Sequence, residues 1–216
     1  MGKQWVRQEA KKNELAQVMD SALHWVRFHQ QTAAWTLVAV LGAAIAGATM
    51  TYRILQAREQ SWGKLAIAQS LAYGGQVEPA FQQISALSSE HPGSVAAGYG
   101  MLLEGDIRFQ QEKFKEAAEV YRRLADEPAH KSLAPLALAD LGVVQEASGD
   151  CKAAVEADQR FLDSFQDHFL APQVHASLAR CLGALGEAEK AKATLERIAF
   201  LYPDTPWVDW AKSRLK

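Results

Sequence analysis

The side chains best suited to chemistry in this 216-residue chain are two cysteines and six histidines. Neither Cys151 nor Cys181 belongs to a CxxC pair, and the histidines lack the spacing that metal ligands usually have. His168 and His175 straddle a predicted connection between helices, but the sequence offers no further ligands to complete a metal site with them. We therefore predict that the chain binds no metal ion and no other cofactor.

Acidic and glycine-rich segments are the next candidates for chemistry. Asp150, Glu156 and Asp158 lie close together, and the exposed face of a helix accounts for them without catalysis. The pair of glycines at 74–75 lacks the Lys and Ser/Thr residues of a phosphate-binding loop, and no nucleophile elbow, dinucleotide fingerprint or HExxH motif occurs. We predict that the protein is not an enzyme and has no small-molecule substrate.

The charge of the chain is small and unevenly distributed. Its formal net charge is −2, while residues 1–31 hold five Lys/Arg against three Asp/Glu. No basic stripe is present that would suit a phosphate backbone, so we expect no nucleic acid partner.

The elements that must position these side chains repeat along the chain. Four alanines, Ala80, Ala117, Ala154 and Ala191, recur every 37 residues. Near three of them a glycine ends one predicted helix, and in every repeat a second helix carries the alanine where the two helices cross. Bulky residues follow the alanine, and a proline often ends the pair because it cannot continue a helix. A period of this length indicates a stack of helical hairpins, so we predict an all-α chain.

Over about residues 60–205 this pattern resembles the tetratricopeptide repeat family. Besides the four alanines, the matching positions are two small residues on first helices and three turn glycines: Gly105 and Gly142, then Gly75, Gly149 and Gly186. The usual unit of the family has about 34 residues, so helices or connections are slightly longer here. The resemblance implies a right-handed α-solenoid of about four helical hairpins with a C-terminal capping helix.

The same resemblance implies a surface for binding other proteins. In this family the first helix of each hairpin lines the concave face, and here those helices are rich in aromatic and apolar residues. The groove candidates are Trp62, Leu65, Tyr73, Tyr99, Leu102, Phe109, Leu136 and Val143. Such a groove suits an extended or partly unfolded polypeptide, or the amphipathic helix of a partner. The alternative is that the longer helices rotate some of these residues into the core.

The last segment of the chain predicts a short helix that covers the end of the stack. Asp204 or Thr205 can cap a helix that begins at Pro206. Trp207 and Trp210 then share one face of that helix and can cover the last repeat. A partner-binding tryptophan patch is the alternative.

The repeat also predicts that the two cysteines are neighbours. Cys151 opens the second helix of one hairpin, and Cys181 lies late in the first helix of the next. Because these helices run antiparallel in such a stack, the start of one meets the end of the other. In an oxidising compartment the thiols could form a disulfide. Otherwise they serve as small hydrophobic side chains.

An uncharged segment precedes the repeats and is long enough to cross a bilayer. No residue from Gln30 to Tyr52 is charged, and about 20 apolar residues span the hydrocarbon region when helical. Trp35 and Tyr52 lie near its ends, where aromatic residues favour the membrane interface. A secretory signal usually starts earlier and is followed by a cleavage site, which this segment lacks, and a buried core helix is the other alternative. We predict a transmembrane helix over 32–52.

This span divides the chain into an N-terminal tail, 1–31, and two C-terminal regions, a repeat domain over 53–205 and a capping helix over 206–216. Apolar residues at helical spacing fit either an amphipathic helix on the membrane or a loosely ordered tail: Leu15, Val18, Met19, Ala22, Trp25 and Val26. Basic residues near the span are balanced on its two sides, but a short, positively charged tail favours a cytoplasmic N-terminus.

The order of tail, span and repeats resembles the YfgM-type ancillary subunits of the bacterial SecYEG translocon. That resemblance implies an inner-membrane protein whose repeat domain lies in the periplasm. It implies a scaffold that links the translocon to periplasmic chaperones and to emerging secreted or unfolded clients. A structural scaffold of another envelope complex, for secretion or cell-wall assembly, is the alternative.

Overall fold

The computed structural model describes residues 18–22 and 24–215, and in this part of the chain all regular structure is helical. Residues 18–22 and 24–28 are helical, while the rest of the predicted tail helix, residues 1–17 and 23, lies outside the described residues. The helices that follow are α1 (Gln30–Tyr73), α2 (Val77–Glu90), α3 (Val95–Gln110), α4 (Phe114–Asp126), α5 (Ala134–Ala147), α6 (Cys151–Phe165), α7 (Ala171–Ala184), α8 (Ala188–Leu201) and α9 (Pro206–Arg214). A short 3-10 helix, Pro128–Leu133, precedes α5.

The chain forms two compact units, residues 1–56 and 57–216, and α1 contributes to both. Within α1 an 18-residue window has a mean hydropathy of 1.8, and none of that window is buried. The hydroxyls of Thr36, Thr49 and Thr51 each donate to a backbone carbonyl three or four residues earlier. These bonds satisfy polar side chains within the apolar stretch of α1.

The second unit consists of stacked helical hairpins, as the sequence predicts. The hairpins pair the end of α1 with α2, through a shared buried cluster, and α3 with α4, α5 with α6, and α7 with α8, while α9 packs on α8 and α7. Each first helix also packs on the second helix of the preceding hairpin. The four repeating alanines are all buried, at 9% exposure or less, because a small side chain lets the two helices of a hairpin cross closely.

The turn inside each hairpin places one residue in the left-handed region. Gly75, Gly149 and Gly186 have φ of 75°, 82° and 79°, as expected for turn glycines at the end of a helix. The second hairpin has Glu112 at the corresponding position, with φ of 60°. A side chain with a Cβ adopts this conformation only at an energetic cost, so the second turn is less favourable than the other three.

Helix α9 begins at Pro206, as predicted, but its N-cap differs from the expectation. Thr205 is the N-cap residue, yet its side chain makes no capping bond to the helix. Instead its hydroxyl donates to the carbonyl of Tyr202 at 2.9 Å. The tight turn between α8 and α9 therefore uses the hydroxyl that could have capped the last helix.

Candidate partner-binding surfaces

The exposed faces of the first helices, α1 from residue 57 onward, α3, α5 and α7, form what we call the first-helix face. Its clearest feature is an aromatic pair, Trp62 on α1 and Tyr99 on α3, whose ring centroids are 5.9 Å apart. Trp62 is 39% exposed and Tyr99 is 37% exposed. Large aromatic rings held together yet open to solvent are common anchors of protein–protein interfaces.

Tyr73, near the C-terminal end of α1, is the most exposed of the groove candidates. Its relative exposure is 86%, whereas the rings of Trp62 and Tyr99 pack against each other. It is therefore available to a partner, but it is not preorganised as the Trp62–Tyr99 pair is.

The other five groove candidates pack inside the stack to different degrees. Leu65 and Leu102 are core residues, exposed by 3% and 8%. Phe109 and Leu136 pack against the main core cluster, and Val143 is half-buried. Leu65 on α1 packs against α2 and α3, and each later first helix contacts its own hairpin partner and the preceding hairpin, so a wide stripe of the surface is covered. Of the predicted set, Trp62, Tyr73 and Tyr99 are the ones left substantially exposed.

Two carboxyl groups, Asp106 on α3 and Asp140 on α5, interact at the first-helix face. The buried Tyr121 on α4 reaches this region and donates its hydroxyl to Asp106 at 2.6 Å. Burial raises the pKa of Asp140 to about 7, and the nearby Asp106 adds to the effect. Burial and the bond to Asp106 also raise the pKa of Tyr121, so its hydroxyl stays protonated as a donor.

A polar cluster lies where α5, α6 and α7 meet, and sequence reasoning missed its buried member. Glu146 on α5 accepts hydrogen bonds from Arg180 at 2.5 and 2.7 Å and from Ser177 at 3.2 Å. Beside them Asp158 on α6 is only 1% exposed, and among the described residues no group makes a hydrogen bond of normal geometry to its carboxylate, because the nearby Ser177 hydroxyl is directed to Glu146. A Cβ built on Gly142 would collide with that carboxylate.

Burial has an electrostatic consequence for Asp158. It raises the pKa of this carboxyl to about 7, with Glu146 acting in the same direction and the neighbouring Ser177 and Arg180 acting against it. The sequence prediction of an exposed acidic helix face is therefore wrong for Asp158. The 37-residue repeat could have predicted that Asp158 is buried. It aligns Asp158 with Ile84, Tyr121 and Leu195, which are all buried.

The two tryptophans of α9 cover the end of the stack. Trp207 and Trp210 pack against a buried cluster of α7 and α8 residues, with their ring centroids 6.0 Å apart. The guanidinium of Arg214 lies 4.3 Å from the Trp210 ring centroid. Trp210 also borders a cavity of about 450 Å³ between α7, α8 and α9. The same side chain therefore covers the last repeat and lines a surface cavity.

The two histidines considered above lie at a second cavity, of about 390 Å³, which is lined by both His168 and His175. Nδ1 of His175 is 2.9 Å from the carbonyl of Ala171, and the hydroxyl of Tyr202 lies 3.2 Å from the same nitrogen. Burial lowers the pKa of His175, so the ring is neutral near pH 7. Among the described residues no group of three or more His, Cys, Asp or Glu side chains could hold a metal ion.

Comparison with known proteins agrees with this architecture. The model of the tetratricopeptide repeat matches residues 177–205. The crystal structure of nearly identical TPR-like repeats from a kinesin-light-chain-like protein of Podospora anserina has a TM-score of 0.55 to this chain, at 15% identity over 73% of this chain and 84% of that one. This chain has a tetratricopeptide repeat fold.

Other comparisons add little beyond the fold. YrrB, described as a TPR protein with an unusual peptide-binding site, has a TM-score of 0.49 at 16% identity, over 70% of this chain and 75% of that one. No curated protein sequence matches this chain.

The tetratricopeptide repeat fold suggests a role for the first-helix face. Repeat arrays of this kind expose an extended surface along their stacked units and are generally scaffolds for other proteins rather than enzymes. The fold therefore indicates a scaffold for protein–protein interactions. The specific partners follow from neither the repeat match nor the structural similarity.

Proposed function

We propose that the protein is a scaffold held in the bacterial inner membrane by a single helix over 32–52. The observation that carries this proposal is the apolar stretch of α1, which has a mean hydropathy of 1.8 over an 18-residue window that nothing covers. Leaving that much apolar surface in water is unfavourable, and a bilayer would bury it. The backbone of the stretch is satisfied within the helix, as the hydrocarbon region requires.

In this proposal the N-terminal tail, 1–31, is cytoplasmic, and the repeat domain, 53–205, lies in the periplasm with its capping helix, 206–216. The domain links the Sec translocon to periplasmic chaperones and to unfolded secreted clients. The layout that resembles YfgM-type subunits supports this assignment, together with a repeat fold that serves protein–protein contacts.

The partner surface in this proposal is centred on Trp62 and Tyr99. The pair combines exposed apolar area with fixed geometry, which lowers the entropy cost of binding. Tyr73 adds a further exposed aromatic side chain on the same helix, 11 residues after Trp62. A partner with an apolar, extended or helical segment fits such a surface.

Photo-crosslinking in native membranes tests both the partner and the surface. A photoreactive residue replaces Tyr99, and the matched control replaces Phe200, an aromatic residue on α8 that is 81% exposed. We expect translocon subunits, chaperones or secreted chains to crosslink at 99 and not at 200. Crosslinks to secretion or cell-wall components would favour the alternative envelope scaffold. Equal crosslinking at the two positions would contradict the proposed surface.

Membrane placement has its own test. We expect the full-length chain to stay in the membrane pellet after alkaline carbonate extraction. Protease added to spheroplasts should degrade the repeat domain while leaving the N-terminal tail intact. Release into the carbonate supernatant would contradict the span, and protection of the repeat domain until the cells are lysed would contradict its periplasmic location.

A further inference from the structure

Two thiols meet at the interface between the third and fourth hairpins. Cys151 is the first residue of α6 and is half-buried, whereas Cys181 on α7 is fully buried. The two thiols are close enough for Cys151 to raise the pKa of Cys181, and both are free rather than joined in a disulfide. One turn beyond Cys151, Val155 packs against the cluster that contains Leu178 and Leu182 on either side of Cys181. The packing of α6 on α7 therefore brings the two thiols to the same interface.

The same interface contains an unfavourable buried group. Asp158 occupies the position where the other hairpins bury a bulky apolar or aromatic side chain, and no described residue makes a hydrogen bond of normal geometry to its carboxylate. It lies on α6 with Cys151, and Ser177 and Arg180 on α7 influence its pKa. Burying an unpaired carboxyl lowers the stability of the folded domain. A covalent link between α6 and α7 would offset this loss of stability at the interface of the two helices.

We propose that Cys151 and Cys181 form a disulfide that links the third hairpin to the fourth. The inference concerns a modification site and holds whatever partner the first-helix face binds. Its formation in the cell rests on the proposed periplasmic location, because disulfides persist in oxidising compartments.

The difference in exposure between the two thiols sets the order of the reaction with a small disulfide oxidant, RSSR. The accessible Cys151 thiolate attacks one oxidant sulfur, forms a mixed disulfide and releases RS⁻. The buried Cys181 loses its proton and attacks the Cys151 sulfur, which expels the second RS⁻. Two protein thiols are oxidised to one disulfide, and the oxidant is reduced to two thiols. Burial and the neighbouring Cys151 raise the pKa of Cys181, which suits it to the second, intramolecular step rather than to the first.

The first experiment measures closure of the disulfide in the purified full-length chain in detergent. The protein is equilibrated with oxidised glutathione, quenched in acid, denatured and treated with a maleimide that adds mass to each free thiol. We expect no modified thiols and a peptide linking residues 151 and 181 by mass spectrometry. Closing this loop should raise the midpoint of thermal unfolding by about 10 °C, and dithiothreitol should reverse the rise. Two modified thiols at equilibrium, or an unchanged midpoint, would overturn the proposal.

Two single variants test the assigned order of attack. In Cys181→Ser the accessible Cys151 should accumulate as a stable mixed disulfide with glutathione. In Cys151→Ser the buried Cys181 should remain free in the folded protein and react only after denaturation. Glutathione on both variants at similar rates would contradict the order derived from burial, and oxidised dimers in place of mixed disulfides would contradict an intramolecular pair.

Acid trapping of thiols in intact cells provides the in vivo arm. Protected thiols at both positions in the native membrane support the proposal as it stands. Free thiols in cells, combined with complete closure in detergent, would contradict the periplasmic location and leave the chemistry of the pair supported. Free thiols in both experiments would overturn the disulfide without bearing on the partner surface, so the two proposals fail separately.

Discussion

The second and third hairpins place different residues at two equivalent positions, 37 residues apart. In the second hairpin Tyr121 packs on Gly105 and donates its hydroxyl to Asp106, and the ring is 2% exposed. In the third hairpin Asp158 packs on Gly142, equally buried, but without a hydrogen-bond partner. One hairpin fills its crossing with an aromatic ring, and the other buries an unpaired carboxyl there.

Their turns show the reverse difference. The second hairpin forces Glu112 into the left-handed region at φ 60°, whereas the third has Gly149 there at φ 82°. Each hairpin therefore follows the repeat pattern at one position and departs from it at the other. Neighbouring hairpins therefore tolerate local departures from the repeat pattern, because the packing between hairpins supports each of them.

The largest effect is expected from emptying the well-packed crossing. Tyr121→Ala should destabilise the repeat domain by about 3–5 kcal/mol, because it removes a fully buried aromatic ring and leaves a cavity. Denaturant unfolding of the purified full-length chain, followed by circular dichroism, measures the change. The control Tyr121→Phe loses only the hydroxyl bond to Asp106 and should cost about 1 kcal/mol. Equal losses for the two variants would mean that the bond, not the ring, holds the crossing.

Replacing Asp158, at the crossing of the third hairpin, should raise rather than lower the stability of the domain. Asp158→Leu should stabilise the domain by about 1–3 kcal/mol at pH 7, because it replaces an unpaired buried carboxyl with the kind of side chain that the other hairpins place there. The same unfolding assay measures the gain. Asp158→Asn is the matched control, since it removes the charge but keeps a polar group that needs partners. A loss of stability in Asp158→Leu would show that the carboxyl has a role that its surroundings do not reveal.

The pH dependence of stability tests the same site without changing its shape. The folded-state pKa of Asp158, about 7, lies above its ordinary value of 3.8, so the folded protein binds this proton more tightly than the unfolded chain does. The stabilisation is fully present below about pH 4 and is lost as the pH rises to about 7. The stabilisation amounts to about 4 kcal/mol, because each unit of difference between the folded and unfolded pKa corresponds to about 1.4 kcal/mol. Asp140, with a similar shift, contributes with the same sign, so Asp158→Leu should remove only part of the slope. A slope unchanged in that variant would contradict the assignment.

Replacing the glycine at each helix crossing with alanine should show how rigidly the side chain opposite it, Tyr121 or Asp158, is held. In Gly105→Ala the new Cβ would lie 2.5 Å from ring carbons of Tyr121, which cannot move without disturbing the core, and we expect a loss of about 2–3 kcal/mol. In Gly142→Ala the obstacle is the far end of the Asp158 side chain, which can shift, and we expect about 1 kcal/mol. Thermal unfolding of the pair measures the difference. A larger loss for Gly142→Ala would mean that Asp158 is held more rigidly than the ring.

The smallest effect concerns the turns. Glu112→Gly should stabilise the second hairpin by about 1 kcal/mol, because glycine adopts the left-handed conformation without the Cβ clash. The converse change, Gly149→Ala in the third hairpin, should destabilise by a similar amount. Denaturant midpoints of both variants check the sign. A loss in Glu112→Gly would indicate that the glutamate side chain makes a stabilising contact.

Much of the fold could be predicted from the sequence because its determinants are local. Helix-ending glycines at 75, 149 and 186, and small residues at the crossings, recur at a fixed period and give the number and order of the hairpins. The second turn carries no glycine, so its left-handed residue, Glu112, is visible only by register with the others. The exposed pair Trp62 and Tyr99 was among the predicted groove residues, but the sequence could not separate them from Leu65 and Leu102, which lie in the core.

By itself the sequence determined the period, the all-α hairpins and the apolar segment, because each depends on residue type and spacing along one helix. Only the tertiary structure decided which stripe of each first helix is covered and that Asp158 is buried without a hydrogen bond of normal geometry from any described residue. Helical periodicity places a side chain on a face, but whether that face meets solvent, a ring or a thiol depends on how two neighbouring hairpins pack.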